Sequence, residues 1–418
     1  MARILMAWEL GEAFGHLAPC LRVAEGLGLR GHTVVLALKD VRLPAGTRLP
    51  RGTTLVQAPW TPVAASPRPP PVNYADVLRH SGFGEASGLA ARLQAWRGLI
   101  ALARPDAVAA DHAPTALLAA HLAGISHLAF GISFSIPAAV RPWTSIRPWE
   151  EVSAERLVDA ERQLDRVTEA AQRMIGHRTP VAIRDLFGPH DVLNTFAELD
   201  HYGERLQGRH VGPIVSLPRA RPVAWQDAEA TKALVYLRPE VPGFLAIVQA
   251  LGQIDAEVVC VSPGLSVDKA KRLATRRLRI SLVPVDLPPL LAHADLAVSY
   301  GGSGFVTQAL LAGAPLLLRP RYVEQALLAH RVEAMGAGRL ISDARADGPS
   351  VSALTDEVLH SPGYREAARA FRERYRHFSP EQAVEQTVAA IENRLLGKAA
   401  NAPGQPQERW EGPPACLH

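Results

Sequence analysis

Cysteine is scarce in this sequence, and the positions of the few cysteines exclude two classes of protein. Cys20, Cys260 and Cys416 lie far apart, and no two of them form a C-x-x-C pair. A small disulfide-stapled domain or a cysteine-ligated zinc module needs more cysteines at closer spacing. We therefore expect neither, and the chain is predicted to belong to a reducing compartment.

Long apolar runs are also missing. The N-terminal apolar run reaches Glu9 before the apolar region of a secretory signal would be complete, and histidine, glycine and proline interrupt the most apolar stretch, residues 116–140. A membrane-spanning helix needs about 20 consecutive, predominantly apolar residues. The sequence therefore predicts a cytoplasmic protein.

The net charge gives no sign of a polyanionic partner, and the spacing of the histidines gives no sign of a metal site. The chain has 45 Lys and Arg residues and 41 Asp and Glu residues, which gives a net charge of +4. Only five of the 45 basic residues are lysine. This near balance does not imply nucleic-acid binding. The histidines outside the motifs described below share no spacing with acidic or cysteine ligands, so we predict no metal site and no resident cofactor.

The length and the apolar content predict two domains. The chain has 418 residues, of which 48% are hydrophobic and 21% charged, so it can bury a core. Single cores stop growing near ~250–300 residues. The size therefore predicts two domains, or three, and not one.

Short apolar runs alternate with helix-length segments along the whole chain. This alternation is typical of parallel sheets with helices on both faces, and it predicts two doubly wound, Rossmann-like domains. The runs in the first half span residues 3–8, 33–39, 53–57, 107–110, 127–130 and 192–195, and those in the second half span residues 233–237, 256–261, 278–282, 296–300 and 315–318.

A proline-punctuated polar stretch after residue 215 suggests the linker between the two domains. We place the first domain at residues 1–222 and the second at 223–378. Residues 379–398 are predicted to form a last helix that crosses back to the first domain. The proline-containing segment 399–418 lacks periodicity and is predicted to be a disordered tail.

The most informative stretch is S-Y-G-G-S-G-F-V-T-Q, residues 299–308, which has the pattern of a strand, a glycine-rich turn and a helix. Gly301, Gly302 and Gly304 let the backbone approach a ligand closely, and a helix beginning near Ser303 directs unpaired N–H groups toward it. A diphosphate suits that environment. The glycines can equally serve tight packing between a strand and a helix.

This stretch resembles the donor-binding signature of the family-1 nucleotide-sugar glycosyltransferases, in which a histidine and glycines open the motif and an acidic-glutamine pair closes it. Tyr300 stands in the place of the histidine and Gln308 in that of a glutamate, and Glu324 and Gln325 form the closing pair. Further positions in register are Gly313, Pro315, Pro320, Arg331, Val332, Gly336 and Gly338.

The resemblance implies a role for each position. Tyr300 and the backbone of residues 301–304 would meet the phosphates, Gln308 would bind the ribose, and Glu324 and Gln325 would contact the sugar. The family has a serine-bearing turn after the first strand of this domain, whereas this chain has L-V-Y-L-R-P-E. Arg238 in that stretch is either a source of positive charge for the diphosphate or an exposed structural arginine.

In the first domain, G-H-L-A-P at residues 15–19 resembles the N-terminal loop of the same family, in which the histidine is the catalytic base. The histidine of this loop is His16. Since a helix N-terminus is a region of positive potential, we expect it to favour the neutral imidazole, the form that accepts a proton. The alternative role is a capping or packing histidine.

A catalytic histidine usually needs a carboxylate that fixes its tautomer. Asp111 ends a buried-looking strand, at the edge where ligands of parallel sheets collect, and it matches the family's aspartate partner of the histidine. Its alternative role is to cap the next helix. His112 is expected to point elsewhere.

The resemblance implies the GT-B architecture and metal-independent transfer of a sugar, with inversion, from a UDP- or dTDP-sugar co-substrate to a small apolar or aromatic natural product. Phe134 and Trp143, in the aromatic loop region 130–149, are candidate acceptor walls, and their alternative role is to pack in the core. Two alternatives stay open. One is a lipid-linked acceptor with peripheral membrane contact, since the G-H-L-A-P loop also resembles that of the peptidoglycan transferases. The other is a non-catalytic nucleotide-sugar-binding partner protein. The oligomeric state is not predicted.

Overall fold

Two parallel β-sheets form the frame of the protein. The computed structural model describes residues 1–11, 15–44, 46–62, 69–205, 207–215 and 221–400, and side chains up to residue 395. Every strand pair in both sheets is parallel. The two-sheet architecture inferred from the alternation of apolar runs is therefore present.

The first sheet has the order β3-β2-β1-β4-β5-β6-β7. Its strands are β1 Arg3–Trp8, β2 Thr33–Leu38, β3 Thr53–Gln57, β4 Ala107–Asp111, β5 Ser126–Gly131, β6 Val192–Leu193 and β7 Arg209–His210. The helices that accompany them are α1 Leu17–Leu29, α2 Tyr74–Leu78, α3 Ala86–Ala103, α4 Pro114–Leu122 and α5 Ala154–Met174.

The second sheet has the order β10-β9-β8-β11-β12-β13. Its strands are β8 Lys232–Tyr236, β9 Glu257–Val261, β10 Leu278–Ser281, β11 Leu296–Ser299, β12 Leu316–Leu318 and β13 Gly338–Leu340. The helices that follow are α6 Phe244–Leu251, α7 Val267–Leu273, α8 Leu287–Leu291, α9 Ser303–Ala312, α10 Val323–Ala334, α11 Gly348–His360, α12 Pro362–Arg374 and α13 Pro380–Ala400.

Both sheets have helices on their two faces, and this explains the nearly continuous apolar composition of the central strands. Every residue of β4 and β5 is buried, because neither face of these strands meets water. The strand order reverses between β1 and β4 in the first sheet and between β8 and β11 in the second. Ligands of open α/β sheets bind outside the carboxyl ends of strands at such points.

The strands predicted from the sequence agree with the observed ones to within about two residues, whereas β7 and β13 were missed. β7 has only two residues, and β13 begins at Gly338, so neither carries a recognisable apolar run. The last helix is described to Ala400, two residues into the segment 399–418 that was predicted to be a disordered tail. The rest of that tail, residues 401–418, lies outside the described residues.

The last helix, α13, packs on α1, β4 and β5 of the first sheet. Its apolar face, which includes Val388 and Ile391, joins the core beneath that sheet. Polar contacts reinforce the packing: Arg394 Nε donates to the carbonyl of His127 at 3.0 Å, and Asn194 Nδ2 donates to Thr387 Oγ1 at 3.1 Å. The C-terminal helix is thus a structural part of the first domain.

Truncation of Ile391 to alanine should lower the free energy of unfolding by about 2–4 kcal/mol, because it leaves a cavity between α13 and the first sheet. Urea denaturation measures the change. The matched control is Leu29→Ala at the end of α1, where the side chain is 84% exposed and the change should stay within about 0.5 kcal/mol. An equal, small effect of both substitutions would show that α13 is not docked.

In the described part of the chain, no helix combines the length and the apolar character needed to cross a membrane.

Candidate functional site

A cavity of about 680 Å³ lies between the two domains, at the carboxyl ends of β1, β4, β8 and β11. Because the predicted base and the predicted donor motif both follow strands at the reversal points of the two sheets, they open onto this cavity from opposite sides. Its lining includes, from the first domain, Glu9, Leu10, Gly11, His16, Lys39, Pro59, Trp60, Thr61, His80, Ser81, Arg92, His112, Ile132 and Phe134 and, from the second, Arg238, Tyr300, Arg321, Tyr322, Glu324 and Gln325.

His16 is the residue immediately before α1, and its side chain makes no capping hydrogen bond. Nδ1 instead lies 3.0 Å from Oδ1 of Asp111. The ring stacks on Trp8, with centroids 5.5 Å apart. Gly11 allows the loop to pass close to the other edge of the ring, since a side chain there would collide with Nε2. One face of the ring therefore packs on Trp8 and Nδ1 is bound to Asp111, which leaves Nε2 to act on a ligand.

Asp111 is the last residue of β4, pairs in register with Trp8 of β1, and is 2% exposed. Its second oxygen, Oδ2, lies 3.9 Å from the thiol of Cys20. Gly131, with φ +134°, makes room for the carboxylate, because a Cβ there would lie 2.6 Å from Oδ1. Each of these contacts directs the carboxylate toward His16.

The alternative role of Asp111 as a helix cap is excluded by its neighbours. The residue before α4 is Ala113, and the carboxylate that caps α4 belongs to Glu9, whose Oε2 accepts the backbone N–H of Thr115 at 3.0 Å. Burial raises the pKa of Glu9 in spite of these hydrogen bonds. Asp111 therefore does not cap α4, and its Oδ1 is available to His16.

The protonation behaviour of His16 differs from the sequence-based expectation. Burial by itself would lower the pKa of His16, but the charge and the hydrogen bond of Asp111, with a smaller contribution from Glu324, raise it above its ordinary value. The helix N-terminus was expected to favour the neutral imidazole, and the carboxylate in contact has the opposite effect on the pKa of His16. His16 is a stronger base than an isolated histidine.

His112 also lines the cavity, so the expectation that it points elsewhere was wrong. Its ring centroid lies 5.8 Å from that of His16, and its backbone adopts a left-handed φ of +46°. That conformation interrupts the alternation of side chains along the strand and directs the ring of His112 into the cleft. Burial and the neighbouring His16 lower the pKa of His112 to about 3, so this ring is neutral beside the base.

The two predicted acceptor walls differ in position. Phe134 lines the cavity and meets the rings of His112 and Tyr74 edge to face. Trp143 is 3% exposed and packs edge-on against Tyr74, with the guanidinium of Arg184 over its ring. Trp143 therefore supports the cavity from behind, and its predicted contact with an acceptor is corrected to this role.

On the opposite side, β11 leads into the glycine-rich turn and α9. Gly301 has φ +86° and approaches the backbone of Gln325, where a Cβ would lie 3.2 Å from the carbonyl oxygen. Gly302 precedes α9, and no side chain caps the helix. The first N–H groups of α9 therefore remain open to an anion. Ser303 and Gly304 form the first turn of the helix.

Two arginines and two tyrosines form the cavity wall beside this turn. Arg238 follows β8 and interacts with the hydroxyl of Tyr300. Burial raises the pKa of that hydroxyl, and the charge and hydrogen bond of Arg238 oppose the increase. Arg321, which the sequence reasoning missed, lies in the loop before α10 with its guanidinium over the ring of Tyr322. The pair brings positive charge to the place where a diphosphate would meet α9.

The closing pair of the motif lies at the start of α10. Glu324 accepts a hydrogen bond from Ser303 Oγ at 3.1 Å, which connects α10 to α9. Gln325 Oε1 accepts the backbone N–H of Arg321 at 3.0 Å. Both side chains line the cavity, and Glu324 is near enough to His16 to contribute to the raised pKa.

Gln308 occupies a different position from the other donor-site residues. Its Nε2 donates to the carbonyl of Gly304 at 3.1 Å, along its own helix, and its buried Oε1 has no hydrogen-bond partner among the described residues. The side chain lies back on α9 and not in the cavity lining given above.

A metal site is not built into the part of the structure that is described: no three His, Cys, Asp or Glu side chains among those residues come together as ligands. Among the residues that line the cavity, Lys39, Arg92, Arg238 and Arg321 carry positive side chains, and the N-terminus of α9 adds partial positive charge from the backbone.

Comparison with known proteins finds a family whose model matches part of this chain. Residues 245–390 match the model of the erythromycin biosynthesis protein CIII-like C-terminal domain. A PGL/p-HBAD biosynthesis glycosyltransferase of Mycobacterium tuberculosis is 25% identical over 172 residues, which is 40% of this chain and 39% of that protein. UDP-glucosyltransferase avaP of Aspergillus versicolor is 26% identical over 153 residues, 36% of this chain and 32% of that protein. These matches thus span less than half of each relative.

Solved structures resemble the whole chain. CalG4, the calicheamicin glycosyltransferase, aligns with a TM-score of 0.69 at 19% identity and covers 96% of this chain and 99% of its own. VinC, a glycosyltransferase in complex with dTDP, aligns with a TM-score of 0.65 at 16% identity and covers 94% and 100%. At such identities the likeness concerns the fold. The predicted GT-B fold and the resemblance to family-1-like glycosyltransferases are confirmed.

Proposed function

We propose that this protein transfers a sugar from a nucleoside diphosphate sugar to a hydroxyl group of a small natural-product acceptor, with inversion at the anomeric carbon. One observation carries the proposal. The His16–Asp111 pair and the wall of Arg238, Arg321 and Glu324 face each other across the same cavity. A base for the acceptor and a cationic site for the leaving group are the two elements that such a transfer needs.

The chemistry follows from the tautomer of His16. Since the carboxylate of Asp111 can only accept a hydrogen bond, Nδ1 carries the proton and Nε2 presents its lone pair to the acceptor hydroxyl. Nε2 takes the hydroxyl proton while the acceptor oxygen bonds to the anomeric carbon. The bond from that carbon to the diphosphate oxygen breaks, and the diphosphate leaves with the electron pair. A single displacement from the opposite face inverts the anomeric centre.

The leaving diphosphate is proposed to lie at the N-terminus of α9, between Arg238 and Arg321. The N–H groups of that turn and the two guanidinium groups would balance the charge that develops on it. Transfer should therefore persist in the presence of EDTA. Glu324 and Gln325 would bind hydroxyl groups of the donor sugar.

The donor is proposed to be a UDP- or dTDP-sugar, supported by the dTDP complex of VinC and by the UDP-glucosyltransferase of A. versicolor. On the first-domain side, the cavity is lined by the aromatic ring of Phe134 and by the charged pair Glu9 and Arg92, whose Oε1 and Nε lie 3.7 Å apart. It suits an acceptor that is aromatic or apolar with polar substituents, such as a hydroxylated aglycone.

The test is an assay of nucleoside diphosphate release with UDP- and dTDP-sugars, each offered with and without a panel of hydroxylated aromatic and macrocyclic acceptors. Acceptor-dependent release, with a glycosylated product detected by mass spectrometry, is expected. If nucleotides bind but no donor is consumed with any acceptor, the protein is a nucleotide-sugar binder and the proposed reaction is refuted.

Replacing both Arg238 and Arg321 by glutamine should weaken the binding of UDP or dTDP by at least roughly tenfold, because charged hydrogen bonds contribute about 1.5–3 kcal/mol each before screening. Isothermal titration calorimetry at physiological salt gives the dissociation constants. The matched control replaces two exposed arginines near the opposite edge of the sheet, Arg272 and Arg276, and should bind as the wild type does. Unchanged affinity in the first variant would move the diphosphate away from this wall.

A further inference from the structure

Glu324 is held by hydrogen-bond donors from both domains. Its Oε1 accepts from Ser303 Oγ at 3.1 Å, within the second domain, and from His201 Nε2 at 3.3 Å, across the cleft. Among the described residues, Oε2 of Glu324 has no hydrogen-bond partner. One carboxylate oxygen is therefore anchored, and the other is left for a ligand in the cavity.

His201 is itself fixed to the acceptor side of the cleft. Its side chain is 1% exposed, its backbone N–H donates to Ser133 Oγ at 3.0 Å, and its Nδ1 lies 2.8 Å from the same hydroxyl. Ser133 directly precedes Phe134 of the acceptor wall, whose ring centroid lies 5.8 Å from that of His201. The imidazole thus connects the acceptor wall to the carboxylate of the donor wall.

The direction of each hydrogen bond can be derived from the groups involved. A carboxylate oxygen only accepts, so Nε2 of His201 must carry a proton. When the other nitrogen, Nδ1, carries no proton, it is an acceptor, and the hydroxyl of Ser133, which already accepts the backbone N–H, donates to it. The chain runs from Ser133 through His201 to Glu324, and every donor in it has an acceptor.

We propose that His201 is a positioning residue for donor-sugar recognition. From the opposite domain, it sets the orientation of Glu324 so that Oε2 accepts a hydrogen bond from a hydroxyl of the sugar. This inference rests on the proposed function, since it assigns Glu324 to the sugar. A nucleoside diphosphate without its sugar does not need this carboxylate. The contribution of His201 therefore concerns the sugar part of the donor alone.

The two amide variants of His201 separate the two ring nitrogens. His201→Asn can keep a polar atom near Ser133 but removes the donor to Glu324, whereas His201→Gln can place an amide N–H near the position of Nε2. We expect His201→Asn to weaken the binding of dTDP-glucose or UDP-glucose by roughly tenfold, in the range of one charged hydrogen bond, and to leave that of dTDP and UDP unchanged. His201→Gln should restore most of the affinity for the sugar nucleotides.

The matched control is His210→Asn. His210 also binds a buried carboxylate, with Nε2 2.8 Å from Asp200 Oδ2, but both residues belong to the first domain. Calorimetry on the four proteins, with each nucleotide and its glucose derivative, should show a selective loss in His201→Asn only. In transfer assays, the same variant should raise the KM for the donor more than it lowers kcat.

Two results would overturn the role of His201. Equal weakening of nucleotide and sugar nucleotide in both His201 variants would show a merely structural residue, and unchanged binding of sugar nucleotides in His201→Asn would show that Glu324 does not need it. These binding measurements are independent of turnover. If the wild type binds sugar nucleotides but does not transfer the sugar, the proposed reaction is refuted. The comparison of binding by the variants still decides the role of His201.

Discussion

Alanine in place of His16 is expected to lower the rate of sugar transfer by roughly 10²–10⁴-fold, the contribution typical of a positioned general base. The affinity for UDP or dTDP should not change, because His16 lies on the wall opposite Arg238 and Arg321. Single-turnover kinetics under saturating donor give the rate of the chemical step, and calorimetry gives nucleotide affinity. The loss should therefore appear in turnover alone.

The matched control for this substitution is His360→Ala, which removes an exposed histidine at the end of α11. It should retain full activity. Full activity in His16→Ala would contradict the assignment of the base, and a parallel loss of nucleotide binding would indicate a structural role for the ring.

Asparagine in place of Asp111 should have two effects, one on the rate and one on its pH dependence. His16 works as a base only when neutral, so activity is lost as pH falls through its pKa, which Asp111 holds above the ordinary value of 6.5. Without the charge of Asp111, the effect of burial, which is the largest single influence on His16, is no longer offset and lowers that pKa. The acid limb of the kcat/KM profile should therefore move to lower pH, while the plateau falls by about 10²-fold or more because the tautomer is no longer fixed.

The control for Asp111→Asn is Asp106→Asn, just before the other end of β4, where the carboxylate accepts the backbone N–H of Arg3 at 2.7 Å. Its acid limb should coincide with that of the wild type. An acid limb that stays in place in Asp111→Asn, or moves to higher pH, would show that Asp111 does not set the protonation of His16.

The sequence predicts the fold well because the determinants of a doubly wound sheet are local. Apolar runs such as residues 107–110 are continuous because both faces of the strand are buried, and Gly301 in the glycine turn has a positive φ that few other residue types adopt. Asp111 ends β4, and His16 closes the loop that leads from the carboxyl end of β1 to α1; both positions follow from the same alternation. Parallel topology then brings these ends to one edge.

What the sequence did not reveal depends on contacts between distant residues. The raised pKa of His16 results from a carboxylate 95 positions away, and the burial of Trp143 depends on Tyr74 and Arg184. His201 has no motif of its own, since its role arises from a contact 123 positions along the chain. Only His112 left a usable signal, because a residue directly after a strand at the ligand edge can leave the strand alternation.

A crystal structure with UDP or dTDP bound tests most directly whether one cleft holds both halves of the proposed reaction. The diphosphate should lie at the N-terminus of α9, between the guanidinium groups of Arg238 and Arg321, with the phosphate that would carry the sugar directed toward His16 and Glu324. A nucleotide bound on another surface, or a diphosphate separated from His16 by protein, would contradict sugar transfer in this cleft.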